Sequence, residues 1–223
     1  MAELQENDDY GFVDVPVPKK PPQERPNNQF RPFVFRSNFL DKVAGSGYVE
    51  LGDTCVLCSV EGPNEKDRET DDDIADDSAV IVISDELCDE YVTALDQIID
   101  TFVRTELLVN AEVKVFVKVI SDDGGVLAAT TMAVGLALAS ANIQMFDLPL
   151  AATVLVEQPG SERLILDPTA AQCEEAKKRD GGIGHTLSEG VMSVKQAKKA
   201  TEIAFKASLM LHAEVGNTLK ESL

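Results

Sequence analysis

The chain has 223 residues and a mass of 24.1 kDa, with 44 % apolar and 26 % charged residues, the composition of a globular protein with a sizeable core. Its 39 acidic residues against 20 basic ones give a net charge of −19, which disfavours sequence-independent adhesion to phosphate polymers without excluding a local basic groove. No apolar run follows Met1, so no secretory signal is expected, and four cysteines without a dense framework read as the reduced thiols of an intracellular protein.

Residues 1–30 carry Pro16, Pro18, Pro21, Pro22 and Pro26, with acids first and Lys19, Lys20 and Arg25 later. Each proline removes a backbone donor and holds its predecessor extended, so this stretch is expected to be a flexible leader, with docking on a partner as the other reading. Residues 31–223 are expected to form a single domain. Tyr48 to Leu51 and Thr54 to Val60 read as two strands joined at Gly52-Asp53, and Gly45-Ser46-Gly47 before them as a bulge or tight turn. Glu61 to Asp77 reads as a solvated acidic loop, interrupted only by Lys66 and Arg68. Its aspartates lack the alternation, central glycine and terminal glutamate of a calcium loop.

Ala79 to Ile83 is a short strand. Ser84 is expected to cap a helix with Asp85 and Glu86 in its first turn and an apolar face of Leu87, Tyr91, Leu95, Ile98, Ile99 and Phe102. Val113, Val115, Val117 and Val119 alternate with other residues in the period of a half-buried strand. Asp122-Asp123-Gly124-Gly125 ends it. The 23 uncharged residues from Gly124 to Phe146 are rich in small side chains and flanked by acids, so they read as a buried helix rather than a membrane span. Pro149 to Val156 and Arg163 to Leu166 form a second hairpin around Pro159-Gly160, and Ser188 opens a last helix. Its apolar stripe is expected to comprise Val191, Val194, Thr201, Ile203, Phe205, Leu209, Val215 and Leu219. The sum is an α/β (α+β) domain with one core.

The chemical motifs are weak. Cys55-Val56-Leu57-Cys58 has the C-x-x-C spacing, but within a strand its two sulfurs point to opposite faces and read as small core residues. His185 and His212 assemble no triad and no metal helix, and the glycines from Gly181 to Gly184 lack the Lys-Ser/Thr of a phosphate loop. Asp122, Asp123, Asp167 and Asp180 lie at or after strand ends, where carboxylates gather for Mg²⁺ or acid–base work, although so acidic a chain produces such clusters by chance.

Four segments in consistent order over residues 31–175 resemble the ribonuclease PH family. They are Arg31-Pro32-Phe33, the hairpin from Ala44 to Pro63, Asp123-Gly124-Gly125 before a small-residue helix ending Leu138-Ala139-Ser140-Ala141, and Met145-Phe146-Asp147-Leu148 with Leu166-Asp167-Pro168-Thr169. The resemblance implies that family's βαβα fold, a mixed sheet with packed helices like domain 2 of ribosomal protein S5. Active members shorten RNA from its 3′ end by phosphorolysis. An arginine shortly after Asp-Gly-Gly binds the attacking phosphate, because two anions meet only beside a fixed cation. Here Val126 and Leu127 follow Gly125, so a catalytically silent member is implied, with no positive group fixed beside the two glycines. Asp180 falls near the spacing of a catalytic aspartate after Asp167, but its surroundings do not match.

Silent members build the eukaryotic RNA exosome ring. The resemblance therefore implies other ribonuclease PH-like ring subunits, S1/KH cap subunits and threaded RNA as partners. It implies nucleus, nucleolus and cytoplasm as compartments. It implies no membrane, no cofactor, no metal and no catalytic residue, with Lys66 and Arg68 as the candidate RNA contacts.

Overall fold

The computed structural model describes residues 25–65, 80–83, 87–108, 110–157, 163–180 and 194–222. Strands β1 (Phe33–Ser37), β2 (Gly45–Leu51), β3 (Thr54–Glu65), β4 (Val80–Ile83) and β5 (Ala111–Ser121) form one sheet in the order β1-β2-β3-β5-β4. The first three neighbouring pairs in that order are antiparallel, and β4 lies parallel to β5. A parallel pair cannot be joined by a tight turn; helix α1 (Asp89–Phe102) makes the crossover. The expected mixed sheet with packed helices is what forms.

The period of two sorts the sheet's faces. Val49, Leu51, Val56, Cys58, Val60, Val113, Val115 and Val117 are buried on one face, beneath helix α2 (Val126–Ser140) and, at the β4 edge, α1. Val34, Arg36, Tyr48, Leu57, Phe116 and Lys118 occupy the other face, in register rows such as Arg36, Tyr48, Leu57 and Lys118. Cys58 takes the inner face and Cys55 the outer one, so the C-x-x-C pair diverges as its spacing requires. Burial pushes the Cys58 thiol up from its ordinary value.

Helix α2 is buried almost throughout. Gly45-Ser46-Gly47 forms no turn: all three residues are paired within β2, opposite Val60, Ser59 and Cys58. Glycine is needed there for approach. A Cβ at Gly45 would sit on the carbonyl oxygen of Ala137, and one at Gly47 on that of Ala133. Ser46 donates its N–H to Ser140 Oγ at 2.9 Å, locking strand and helix together. Among the described residues no helix is long and apolar enough to cross a membrane.

A two-stranded antiparallel ribbon, β6 (Val154–Val156) and β7 (Leu164–Leu166), follows α2. Three elements appear beyond the expected order: edge strand β1, a 3-10 turn at Thr105–Leu107 and helix α3 (Ala170–Asp180). The loop expected from Glu61 begins later, since β3 runs on to Glu65. Helix α1 begins at Asp89 rather than after Ser84, with Asp89 and Glu90 in its first turn. Ser84, Pro159-Gly160, His185, Ser188 and Val191 lie outside the described residues.

The last helix, α4 (Val194–Ser222), packs on β1, α2, β6 and β7. Its buried positions are Gln196, Ala207, Leu211 and Val215; of the expected stripe Val215 is buried and Ile203 and Leu219 are half-buried, but Val194, Thr201, Phe205 and Leu209 face solvent.

Candidate functional site

Three of the four carboxylates singled out in the sequence, Asp122 and Asp123 at the end of β5 and Asp167 just beyond β7, lie at one rim, around Arg31. Asp122 to Gly125 turn the chain from β5 into α2, with Gly124 at φ +92° and Gly125 at φ +74°, both left-handed. Gly124 N–H donates to Asp122 Oδ1 at 2.8 Å, and Thr54 Oγ1 donates to the Gly124 carbonyl at 2.8 Å while accepting the Asp123 N–H at 3.0 Å. Asp167, just beyond β7, also takes a left-handed conformation at φ +52°. Its N–H donates to the Thr153 carbonyl at 2.7 Å.

Arg31 joins the two turns. Its Nε donates to Asp167 Oδ2 at 2.9 Å and its Nη2 to Asp167 Oδ1 at 2.7 Å, a two-pronged pair. Nη1 donates to the Asp123 carbonyl at 2.8 Å and approaches Asp123 Oδ2 at 3.3 Å, and Nη2 reaches the Gly124 carbonyl at 2.9 Å. The backbone N–H of Arg31 adds a bond to Asp167 Oδ2 at 3.0 Å. Arg31 is 5 % exposed and Asp167 1 %. Burial alone would lower the Arg31 pKa, but the Asp167 and Asp123 carboxylates outweigh it and hold the guanidinium above its ordinary value. Gly52 makes room for the stem: a Cβ there would stand 2.7 Å from Arg31 Cδ.

The expectation that no cation stands beside Gly124-Gly125 is thus corrected. A guanidinium is there, supplied by Arg31 from 92 residues upstream of Asp123, and carboxylates hold it. A guanidinium has five N–H bonds, and here five protein oxygen contacts engage them, so Arg31 has none left to offer an incoming anion. Val126, buried, and Leu127, half-buried, add no charge at the start of α2. Arg25 also closes on this cluster. Its Nη2 donates to the Asp167 carbonyl, and burial lowers its pKa despite the Asp167 charge.

The other candidates are dispersed. Asp180 ends α3, and its side chain lies outside the described residues, as do Lys66 and Arg68. His212 is exposed on α4, with Nε2 3.4 Å from Asp147 Oδ1. Among the described residues no group of three or more His, Cys, Asp or Glu side chains is placed to hold a metal ion. The sequence names Asp123 and Asp167 but not their partner; Arg31 stands out only as the first half of an Arg-Pro motif.

The RNase PH model, domain 1 of the 3′ exoribonuclease family, matches residues 29–144. The chain belongs to this family. That match takes in Arg31, the β2–β3 hairpin, Asp123-Gly124-Gly125 and α2, and leaves Asp167 beyond it. Among curated proteins, the human protein named exosome complex component MTR3 is 28 % identical over 180 residues, covering 70 % of this chain and 66 % of that protein, just under two-thirds of its length. Among solved structures, the crystal structure of rice (Oryza sativa) Rrp46 is similar with a TM-score of 0.74 and 26 % identity, over 87 % of this chain and 98 % of that one. A chain of an archaeal exosome core has the same fold, with a TM-score of 0.68 at 21 % identity over 86 % of this chain and 89 % of that one.

Proposed function

We propose that the chain is a non-catalytic ring subunit of an RNA exosome, supporting 3′-to-5′ processing and degradation of RNA by helping to build the ring and its channel. The observation that carries the silent half of this reading is the saturated guanidinium. Phosphorolysis needs a cation free to bind phosphate against the charge of the RNA backbone, and among the described residues the two guanidiniums at this rim are committed, Arg31 to Asp167 and Asp123 and Arg25 to the Gln29 and Asp167 carbonyls. The ring half is supported by the names of the relatives and by the open sheet face. Val34, Phe116 and Ile120 lie exposed there, an apolar surface of the sort that subunits cover. The quoted motifs most resemble the ring subunit called mRNA transport regulator. Neighbouring ribonuclease PH-like subunits, S1/KH caps and RNA in the channel are the partners this role requires, in nucleus, nucleolus and cytoplasm.

Two measurements test it. The purified chain with poly(A) and inorganic phosphate is expected to release no nucleoside diphosphate; release that is lost on Asp180→Ala would replace this reading with an active phosphorolytic exoribonuclease. Ring assembly from the remaining subunits is expected to fail without this chain, and a ring that closes normally in its absence would refute the structural role.

A further inference from the structure

Three of the four exposed large apolar side chains of α4, Val194, Phe205 and Leu209, lie in line, while Met210 faces another flank. Val194, Thr201, Phe205, Leu209 and His212 recur at intervals of seven, four, four and three residues along one flank, away from the buried Ala207, Leu211 and Val215. Phe205 is 64 % exposed and Leu209 59 %. The contact between His212 Nε2 and Asp147 Oδ1 brings the turn carrying exposed Phe146 to the same helix. Lys198 stands on the same flank, and the stretch from Val194 to Ser208 is basic as a whole, with Lys195, Lys198, Lys199 and Lys206 against Glu202 alone, in a chain of net charge −19. A basic, apolar surface fits an acidic, apolar segment.

The same chain carries one outside the described residues. Asp8 to Val17 reads Asp-Asp-Tyr-Gly-Phe-Val-Asp-Val-Pro-Val, with three carboxylates and no base among Tyr10, Phe12 and the valines. Seven residues, three of them proline, separate it from Arg25, where the structure begins. That entry point is fixed beside α4, since Arg25 bonds the Asp167 carbonyl, Asn27 accepts the Leu166 N–H at the end of β7, and α4 packs on β7. A proline-rich spacer of this length reaches about 25 Å at ~3.1 Å per residue. A helix of 29 residues is about 43 Å long, so the spacer spans more than half the length of α4. A short tether keeps the segment near the body of the chain, which favours a contact too weak to form between separate molecules.

We infer that residues 8–17 dock on the Phe205–Leu209 stripe of α4 in the same molecule, as a strap that covers this face until a partner displaces it. The inference uses neither Arg31 nor the ring, and stands or falls separately from the proposed function. The test uses the full chain with Phe205 replaced by the photo-crosslinking residue p-benzoylphenylalanine, and a control chain with the same residue at Met210, exposed on another flank. A urea midpoint equal to that of the native chain confirms that each folds. The expected result is a monomeric product joining position 205 to residues 8–17, several-fold more abundant than from position 210 and reduced by Lys198→Glu with Lys199→Glu. Equal yield from the two positions, a link elsewhere in the chain, a product of dimeric mass or no product at all would overturn the inference.

Discussion

Replacing Arg31 by Met keeps most of the side chain's bulk but strips Asp167 of the guanidinium that pairs with both its oxygens. Asp167 is 1 % exposed, and its remaining polar contacts are the Arg31 N–H and the more distant Arg25 Nη1 at 4.0 Å. Removing one partner of a buried pair costs about 3–5 kcal/mol, because the other is left charged and unsolvated. With a urea slope of about 2–3 kcal/mol/M, the midpoint should fall by roughly 1–2.5 M. Arg31→Met combined with Asp167→Leu removes both charges and should recover about 2–3 kcal/mol relative to the sum of the single changes. Equilibrium urea unfolding of the four chains checks this. A single-mutant loss under about 1 kcal/mol, within the range of an exposed pair, or strictly additive changes, would show that the cluster does not hold the rim together.

Gly47→Ala should destabilise the chain by about 1–3 kcal/mol or more, since its new methyl meets the α2 backbone, which cannot step aside as a flexible side chain would; an unchanged thermal midpoint would contradict that packing. In a native thiol titration Cys88, exposed, should react first and Cys58 only on unfolding; joint fast reaction of Cys55 and Cys58 would refute the divergent pair. Tyr91 is pushed up to about 12 by burial and by the neighbouring Cys88, Asp122 and Glu90. A group whose folded pKa is raised stabilises the fold below its unfolded value, ordinarily about 10, and loses that contribution as pH climbs through the folded one. Tyr91→Phe should therefore lose less stability than the native chain between those two values, and unfolding midpoints measured across alkaline pH that ran parallel would count against it.

The sequence is most legible where a period repeats over many residues. The valines from Val113 to Val119 and the uncharged run after Gly125 placed β5 and α2, and Gly52-Asp53 placed the hairpin between β2 and β3. Strand β1 escaped notice because an edge strand with exposed Phe33 and Val34 shows no clean alternation. Helix α3 did so because Ala-Ala-Gln-Cys-Glu-Glu-Ala-Lys-Lys-Arg-Asp has no apolar face to betray it. Gly45 and Gly47 read as a turn since glycine serves both turns and close approach, and only the helix that comes to lie on them decides which. At the candidate site, the absent arginine after Gly125 was legible, while the Arg31–Asp167 pair spans 136 residues and has no local signature.

The seam between β2 and α2 constrains how this chain can change. Where strand and helix backbones touch through Gly45 and Gly47, neither element can gain a methyl group unless the other withdraws, and Ser46 with Ser140 pins the distance between them. Variation accepted one residue at a time is therefore shut out of the middle of the domain and diverted to its rim turns and outer faces. Lineages of this fold can alter what those surfaces grip while the interior stays nearly the same.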